Sequence, residues 1–278
     1  MYRLWLISNQ QIISNDHIQQ LPTPDSWQWV DKNKAGYCLI DHALNINEIE
    51  KYRTAMEQQK IDVFCVPNDT PQYRLFIADM DSTIVTGETL DELASFAGIE
   101  KKIIAITERA MRGELDFHEA LHERVRLLKG LNAEALDQTL HTTKLSDGSD
   151  TLMQSLQQKE IKTALVSGGF TFFTSAIAEQ LGFDHHHGNQ LEIENNHLTG
   201  RVIDPILDRH SKLAYLKQYA DHYQCDLSQT IAIGDGANDL DMLRAAGLGI
   251  GYHPKPLVRE QIVNCIIHGN LSTLTYLL

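Results

Sequence analysis

Two carboxylates stand two positions apart directly after an apolar run of the chain. The run Leu75–Ala78 is typical of a buried strand, and Asp79 and Asp81 follow it. Alternate residues of an extended segment point the same way, so the two acids would lie side by side and bind protons or cations. Because Asp and Ser also favour turns, this stretch alone fits a polar turn equally well, and the rest of the chain must decide.

Two later strands also end in polar residues. The predicted strand Ile161–Gly169 runs into a glycine turn that carries Ser167 and Gly168. The predicted strand Thr230–Asp235 runs into the acidic stretch Gly234–Asp239. Parallel strands of an open sheet present their carboxyl ends on one edge, so we expect all three strand ends to form one site.

These residue types together suit the transfer of a phosphoryl group. Backbone N–H groups of a glycine turn at a helix N-terminus bind phosphate, and the Ser167 hydroxyl can donate to it. Carboxylate oxygens suit Mg²⁺, an aspartate can form an aspartyl-phosphate, and a second acid can move the proton. Lys212, at the start of the helix before the third strand, could offset the negative charge gathered there.

The order of the predicted elements defines the fold class. From Leu75 onward strands alternate with helices, which predicts an α/β fold with a doubly wound, parallel, Rossmann-like sheet. The mostly helical stretch between the first two of these strands is too long for a simple crossover, so we interpret residues 86–150 as an inserted helical cap. Residues 1–70 have the pattern of a small N-terminal α/β domain, and a break rich in Pro and Asn separates it from a second domain, 71–278.

Charge and composition argue against several classes of partner. The formal net charge of −13 disfavours nucleic acid and anionic membranes, since both bind clustered Lys and Arg. No apolar stretch has the length of a membrane span, and the N-terminus lacks the pattern of a signal peptide. The four cysteines are scattered without CxxC spacing, which indicates free thiols in a reducing compartment, so we expect a cytoplasmic protein.

The motifs resemble those of a known superfamily. Asp79–Thr83 (DMDST) resembles the first motif of the haloacid dehalogenase-like phosphatases, while Ser167, Lys212 and Gly234–Asp239 (GDGAND) are similar to its second, third and fourth motifs, in the same order. Three stretches of the insert are similar to the phosphoserine phosphatases of that superfamily: Glu88–Ala94, Ala110–Phe117 and Arg124–Leu128. Residues 1–70 match no pattern that we can name, although some phosphoserine phosphatases carry regulatory or ferredoxin-like modules there.

The resemblance implies a role for each motif residue. Asp79 would attack phosphorus, and Asp81 would protonate the leaving serine oxygen and then activate water. Mg²⁺ would bind Asp79, Asp235 and the backbone carbonyl of Asp81, with Asp239 beside it as a further metal-binding or orienting acid. Asp239 could also cap the helix that follows it. The substrate's phosphate end would contact a further set of residues: Ser167, Gly168, Lys212 and Asn238.

The cap residues would recognise the rest of the substrate. The resemblance implies hydrolysis of O-phospho-L-serine to L-serine, the last step of serine biosynthesis, with Glu88 paired to the ammonium and Arg124 gripping the carboxylate. Met111 and Phe117 would form apolar walls around the short carbon chain, but a place in the core of the cap explains both equally well. Arg124 could instead belong to a solvated helix face.

Other interpretations stay open. A related phosphotransferase or small-molecule phosphomonoesterase would use the same aspartyl-phosphate. A receiver-like signalling domain also combines Asp, Mg²⁺ and Lys, although the spacing of Asp79 and Asp81 and the large insert argue against it. Residues 1–70 could form a regulatory module or a dimerisation module, and the latter would make the protein a homodimer. The three histidines His185–His187 are interpreted as a polar surface loop, because neighbours in a regular element cannot all face one ion.

Overall fold

Two sheets run through the chain. The structure, a computed structural model, describes residues 1–111 and 114–278, apart from the side chains of Glu108 and Met111. The first sheet contains four strands: β1 (Tyr2–Ile7), β2 (Gln28–Asp31), β3 (Ala35–Ile40) and β4 (Asp62–Pro67). The second sheet contains seven strands: β5 (Leu75–Ala78), β6 (Lys162–Phe170), β7 (His185–Glu194), β8 (His197–Ile203), β9 (Thr230–Gly234), β10 (Leu248–Tyr252) and β11 (Asn264–Ile266).

Helices accompany both sheets in the described part of the chain. With the first sheet are α1 (Asn15–Ile18) and α2 (Ile46–Met56). Between β5 and β6 the insert contains α3 (Thr89–Phe96), α4 (Glu100–Met111), α5 (Phe117–Arg126) and α6 (Glu134–Thr142). The second sheet is accompanied by α7 (Ser149–Gln158), α8 (Thr171–Leu181), α9 (Arg209–His222), α10 (Leu240–Ala245) and α11 (Pro256–Arg259). None of the described helices combines the length and the apolar character that a membrane crossing requires.

The second sheet is wound in both directions from a central strand. Its strand order is β11-β10-β9-β5-β6-β7-β8, and the pairs are parallel except for β7 with β8. Along β5, Phe76 and Ala78 belong to one apolar cluster, while Leu75 and Ile77 belong to another. Both faces of this strand are therefore covered, which explains its continuous apolar sequence. The predicted doubly wound, parallel α/β fold is confirmed.

The helical insert leaves the sheet and returns to it at adjacent points. The Thr86 N–H donates to the Lys144 carbonyl at 2.8 Å, and the Ser146 N–H donates to the Ile84 carbonyl at 2.9 Å. The four helices of the insert lie within a few residues of the predicted ones. Arg112, the predicted end of the second of these helices, lies outside the described residues.

The first sheet has the βαββαβ element order of a ferredoxin-like unit. Its strand order is β2-β3-β1-β4, with antiparallel neighbours throughout. One face carries Leu4 and Leu6, which belong to an apolar cluster with Ile49 of α2. The opposite face carries Trp5 and Phe64, which belong instead to the large core cluster of the second sheet.

The C-terminal end of the chain connects the two sheets. The Asp62 carboxylate of β4 accepts hydrogen bonds from three consecutive N–H groups, those of Ile267, His268 and Gly269, at 2.8 to 3.0 Å. The Tyr276 hydroxyl donates to Asp31 Oδ2 of β2 at 2.9 Å. The division into domains 1–70 and 71–278 stays a prediction, and these bonds cross its boundary.

The predicted surface loop at His185–His187 is wrong. These residues begin β7, which pairs with β6 in parallel. His185 Nε2 lies 2.5 Å from the Tyr223 hydroxyl, and His187 Nε2 lies 2.6 Å from the Tyr219 hydroxyl. Strand alternation directs both rings to α9, where tyrosines one helical turn apart receive them. The polar character of the histidines is therefore satisfied by partners more than thirty positions away, which a local reading does not find.

Candidate active site

The carboxyl ends of β5, β6 and β9 meet at one edge of the second sheet, since β5 pairs with both of the other strands. A cavity of about 550 Å³ lies there, between the sheet edge and the cap. The sheet edge contributes Asp79, Asp81, Ser167, Gly168, Asp235 and Asn238 to its lining. The cap and the segment leading into it contribute Glu88, Phe117 and Arg124.

Three carboxylates and a lysine form a buried group of charges, which we call the charge cluster. One carboxylate oxygen from each of Asp79, Asp235 and Asp239 lies within 4.8 Å of the others. Lys212 Nζ lies 2.7 Å from Asp79 Oδ1 and 2.5 Å from Asp239 Oδ1, and the lysine side chain is 2% exposed. Removing any member would leave the other charges buried with fewer partners, so the four residues depend on one another.

Burial governs the proton affinity of the charge cluster. Burial, reinforced by Asp239, raises the pKa of Asp79 well above its ordinary value, although Lys212 opposes the shift. Burial also raises the pKa of Asp235, against the influence of a second lysine, Lys255. For Lys212, burial alone would lower the pKa, but Asp239 and Asp79 outweigh it and the pKa is raised, so the amine stays charged.

Asp239 holds the turn after β9 and the amine of Lys212 in place. Its Oδ2 accepts hydrogen bonds from the N–H groups of Asp235, at 3.1 Å, and Gly236, at 2.9 Å, while its Oδ1 contacts Lys212. The side chain makes no capping bond to α10, so the alternative role as a helix cap is not seen. Gly234 is required here because a Cβ at this position would collide with the Asp239 carboxyl group.

Asp81 lies in different surroundings from Asp79. Its Oδ1 accepts a hydrogen bond from the Thr89 N–H of α3 at 2.9 Å, and its Oδ2 accepts one from the Ser167 hydroxyl at 3.2 Å. Burial, together with the nearby Glu88 carboxylate, raises the pKa of Asp81 to about 6. A carboxyl group with a pKa near neutrality can both give and take a proton under physiological conditions. The two acids that the sequence places side by side are thus chemically distinct.

The turn Ser167–Gly169 brings backbone N–H groups to the start of α8. The Gly169 N–H donates to Ser167 Oγ at 2.8 Å. A Cβ on Gly169 would lie 2.8 Å from Asp81 Oδ2 and 3.1 Å from Ser167 Oγ, so the turn and the acid approach each other closely only because this residue is glycine. A helix N-terminus with a hydroxyl beside it is suited to hold the oxygens of a phosphate group.

The predicted cap residues lie on the opposite wall. Glu88 Oε1 accepts a hydrogen bond from the Ser82 hydroxyl at 3.0 Å. The Arg124 Nε donates to the Ala120 carbonyl of its own helix at 3.2 Å, and burial lowers the pKa of Arg124, against the influence of Asp91 and Glu88. Phe117 is 36% exposed. The side chain of Met111, predicted as a second apolar wall, lies outside the described part of the structure.

Two cationic residues of the cavity are missing from the sequence-based set. Arg209, the first residue of α9, and Lys255, which follows β10, both line it. Lys255 Nζ lies 3.0 Å from Asp235 Oδ2 and 3.6 Å from Glu88 Oε1. A signal for Lys255 exists in the sequence, because β10 is parallel to β9 and its carboxyl end opens on the same edge. The motif comparison stopped at the fourth motif and did not follow the next strand.

The charge cluster fits a hard divalent cation. Its ligand atoms are carboxylate oxygens, which Mg²⁺ and similar ions prefer, and three of them converge from separate strand ends. The raised pKa values of Asp79 and Asp235 mark carboxylates whose charge is incompletely compensated in their buried setting. A cation between them would supply that compensation.

Fold, site and sequence together define the class of protein. A model of the haloacid dehalogenase-like hydrolases matches residues 76–244, more than half of the chain. The chain therefore belongs to the haloacid dehalogenase-like hydrolases. The matched span runs from β5 to α10 and includes the described cap and the three strand ends that carry the charge cluster.

Phosphoserine phosphatases are among its relatives. The chain is 42% identical to the phosphoserine phosphatase of Streptomyces coelicolor over 86% of its own length, but it covers only 60% of that protein. A haloacid dehalogenase family hydrolase of Salmonella enterica serovar Typhi superimposes with a TM-score of 0.89 and 31% identity, covering 100% of this chain and 98% of that one. A phosphoserine phosphatase solved as a phospho-aspartyl intermediate analogue has a TM-score of 0.70 and 35% identity, over 75% of this chain and 100% of that one.

Proposed function

We propose that this chain is a Mg²⁺-dependent phosphatase that hydrolyses O-phospho-L-serine to L-serine and phosphate, the last step of serine biosynthesis. The observation that carries the proposal is the composition of one cavity. Its sheet side holds the charge cluster and the Ser167 turn, while its cap side holds a carboxylate, Glu88, and a guanidinium, Arg124. These groups are complementary to the phosphate, the ammonium and the carboxylate of phosphoserine. The relatedness to phosphoserine phosphatases supports the same assignment.

The reaction would proceed in two displacements at phosphorus. An Asp79 carboxylate oxygen bonds to phosphorus while the bond from phosphorus to the serine oxygen breaks, and that oxygen takes a proton from Asp81. Asp81 then takes a proton from water, whose oxygen attacks phosphorus and releases Asp79. The pKa of Asp81, about 6, suits a group that performs both transfers. Ser167 and the Lys212 amine would hold the phosphate oxygens throughout.

Mg²⁺ would be held by Asp79, Asp235 and the backbone carbonyl of Asp81. When bound, the ion would offset the charge of the phosphate and of the neighbouring carboxylates. Both oxygens of Asp239 already contact Lys212 or backbone N–H groups, so we assign Asp239 to orientation of the cluster. Asn238, at the same turn, would hydrogen-bond the substrate.

A substrate panel tests the proposal. Phosphate release would be measured with Mg²⁺ from phosphoserine, phosphothreonine, an aryl phosphate and sugar phosphates, with phosphate transfer to homoserine followed in parallel. We expect phosphoserine to have the highest kcat/KM, with water as the main acceptor. Chelation should abolish turnover and Mg²⁺ should restore it, whereas Ca²⁺ should substitute poorly because it favours more ligands. A sugar phosphate that outperforms phosphoserine would contradict the substrate assignment.

Residues 1–70 and the cellular setting complete the proposal. We assign this segment to a small ferredoxin-like module with a regulatory or dimerising role, and the chain to the cytoplasm, where its four free cysteines would stay reduced. Size-exclusion chromatography with light scattering would test the homodimer. Deleting the segment would remove Trp5 and Phe64 from the shared core, so we expect a truncated chain to lose stability as well as any regulation.

A further inference from the structure

Lys255 is fixed at its backbone to the strand end that carries Asp235. It follows β10, the neighbour of β9, and stands at the N-cap position of α11. Its N–H donates to the Asp235 carbonyl at 2.9 Å. The root of this side chain therefore has a defined place relative to the charge cluster.

The amine of Lys255 joins the sheet side of the cavity to the segment that leads into the cap. Nζ lies 3.0 Å from Asp235 Oδ2, on a carboxylate that is 6% exposed, and 3.6 Å from Glu88 Oε1, on one that is 47% exposed. Glu88 is the residue directly before α3 and precedes the whole insert. One end of the bridge is thus anchored in the buried cluster, and the other end is the side chain proposed to bind the substrate's ammonium.

Glu88 lies among other acids. Its charge raises the pKa of Asp91 and of Asp81, although burial is the larger cause for both. Besides Lys255, the Ser82 hydroxyl contacts the same Glu88 oxygen, at 3.0 Å. A flexible, half-exposed glutamate with acidic neighbours is repelled from the cavity unless a cation attracts it there. The geometry supplies that cation at Lys255.

We propose that Lys255 is a positioning residue that holds the Glu88 carboxylate in the cavity and so determines recognition of the substrate's ammonium group. This inference rests on the proposed function. It separates Lys255 from Lys212, which contacts the acids of the charge cluster and is buried. It also predicts a pattern of effects that differs between substrates with and without an ammonium group.

Steady-state kinetics of Lys255→Met and Lys255→Arg test the inference. For Lys255→Met we expect KM for phosphoserine to rise about fivefold to tenfold with little change in kcat, since the lost contact is an electrostatic one at a partly exposed site. An aryl phosphate has no ammonium group, so its kcat/KM should change less than twofold. Lys255→Arg keeps the charge and should restore most of the phosphoserine KM. Lys159→Met, at an exposed lysine remote from the cavity, serves as the control.

A double-mutant cycle with Glu88→Gln completes the test. If Lys255 acts through Glu88, adding Lys255→Met to Glu88→Gln should raise KM for phosphoserine by less than twofold further. Additive effects, or an equal loss with both substrates, would overturn the inference and point to a general structural or electrostatic role. Failure of the proposed function is seen separately, because the unmodified enzyme would then release no phosphate from phosphoserine.

Discussion

The two walls of the cavity are built in different ways. On the sheet side, the side chains of Lys212 and Asp239 are 2% and 0% exposed, and contacts of 2.5 to 3.1 Å join them to their neighbours. On the cap side, the Glu88 side chain is 47% exposed and Phe117 is 36% exposed. The sheet side is a closed network of buried charges, whereas the cap side is an open set of side chains with fewer partners.

This difference separates chemistry from recognition. Groups that form and break bonds to phosphorus must keep their positions to within a fraction of an ångström, and a saturated buried network provides that rigidity. Groups that admit and release a small substrate need freedom to rearrange, and partly exposed side chains on a helical insert provide it. Substitutions on the sheet side should therefore affect all substrates and, for Lys212, folding. Substitutions on the cap side should affect one substrate and leave folding unchanged.

Asp79→Asn should have the largest effect. The amide cannot act as the nucleophile, so we expect kcat to fall by at least roughly 10⁴-fold with phosphoserine and with an aryl phosphate alike. Asparagine has nearly the same shape, and one like charge is removed from the cluster, so the unfolding midpoint should not fall. Asp221→Asn, on the exposed side of α9, is the matched control. Retained turnover in Asp79→Asn would exclude covalent catalysis at this residue.

Lys212→Met should be the most damaging change to stability. The variant leaves Asp79 and Asp239 buried without their shared cation, and breaking a buried pair in this way typically costs about 3–5 kcal/mol. Chemical denaturation in metal-free buffer measures the loss, since an added cation would replace part of the missing charge. Lys217→Met, on the exposed face of the same helix, should change stability by less than about 0.5 kcal/mol. Equal stability of the two variants would contradict the picture of an interdependent buried cluster.

The sequence predicts the sheet side of the site well. An apolar run before Asp79, a glycine turn at Ser167 and an acidic turn at Asp235 are local signals, and the rule that parallel strands end on one edge brings them together. Fold class follows from the same alternation of strands and helices. Local pattern and global architecture agree along this part of the chain, which is why simple reasoning succeeds.

What the sequence does not predict depends on partners that are distant along the chain. Lys255 joins the cavity only because β10 pairs with β9, and His185 becomes a strand residue because tyrosines of α9 receive its ring. The bonds from Asp62 to residues 267–269 cross about two hundred positions and have no local signature. Each of these contacts is a tertiary effect, and a single sequence carries no separate mark for it.

Arg124→Ala should have a smaller and selective effect. Removing a charged hydrogen-bond donor to the substrate's carboxylate costs about 1.5–3 kcal/mol, so we expect kcat/KM for phosphoserine to fall roughly 10- to 100-fold. An aryl phosphate lacks that carboxylate and should be affected less than threefold. Arg126→Ala, two positions along α5 and exposed, is the control for loss of positive charge. If both substrates suffer equally, Arg124 serves the fold of the cap or the phosphate site, and the division between the two walls fails at this residue.

Phe117→Ala should have the smallest effect and tests how loosely the cap wall is built. The ring lines the cavity next to Gly168, but it is already partly exposed, so removing it forfeits about 1 kcal/mol of apolar contact. We expect kcat/KM for phosphoserine to fall about fivefold, mostly through KM, with an unchanged unfolding midpoint. Phe96→Ala, at an exposed phenylalanine outside the cavity, should change neither quantity. A loss in kcat as large as that of Asp79→Asn would mean that the cap wall positions the reacting groups too, because only a rigid wall could transmit the removal of one half-exposed ring to the bond-breaking step.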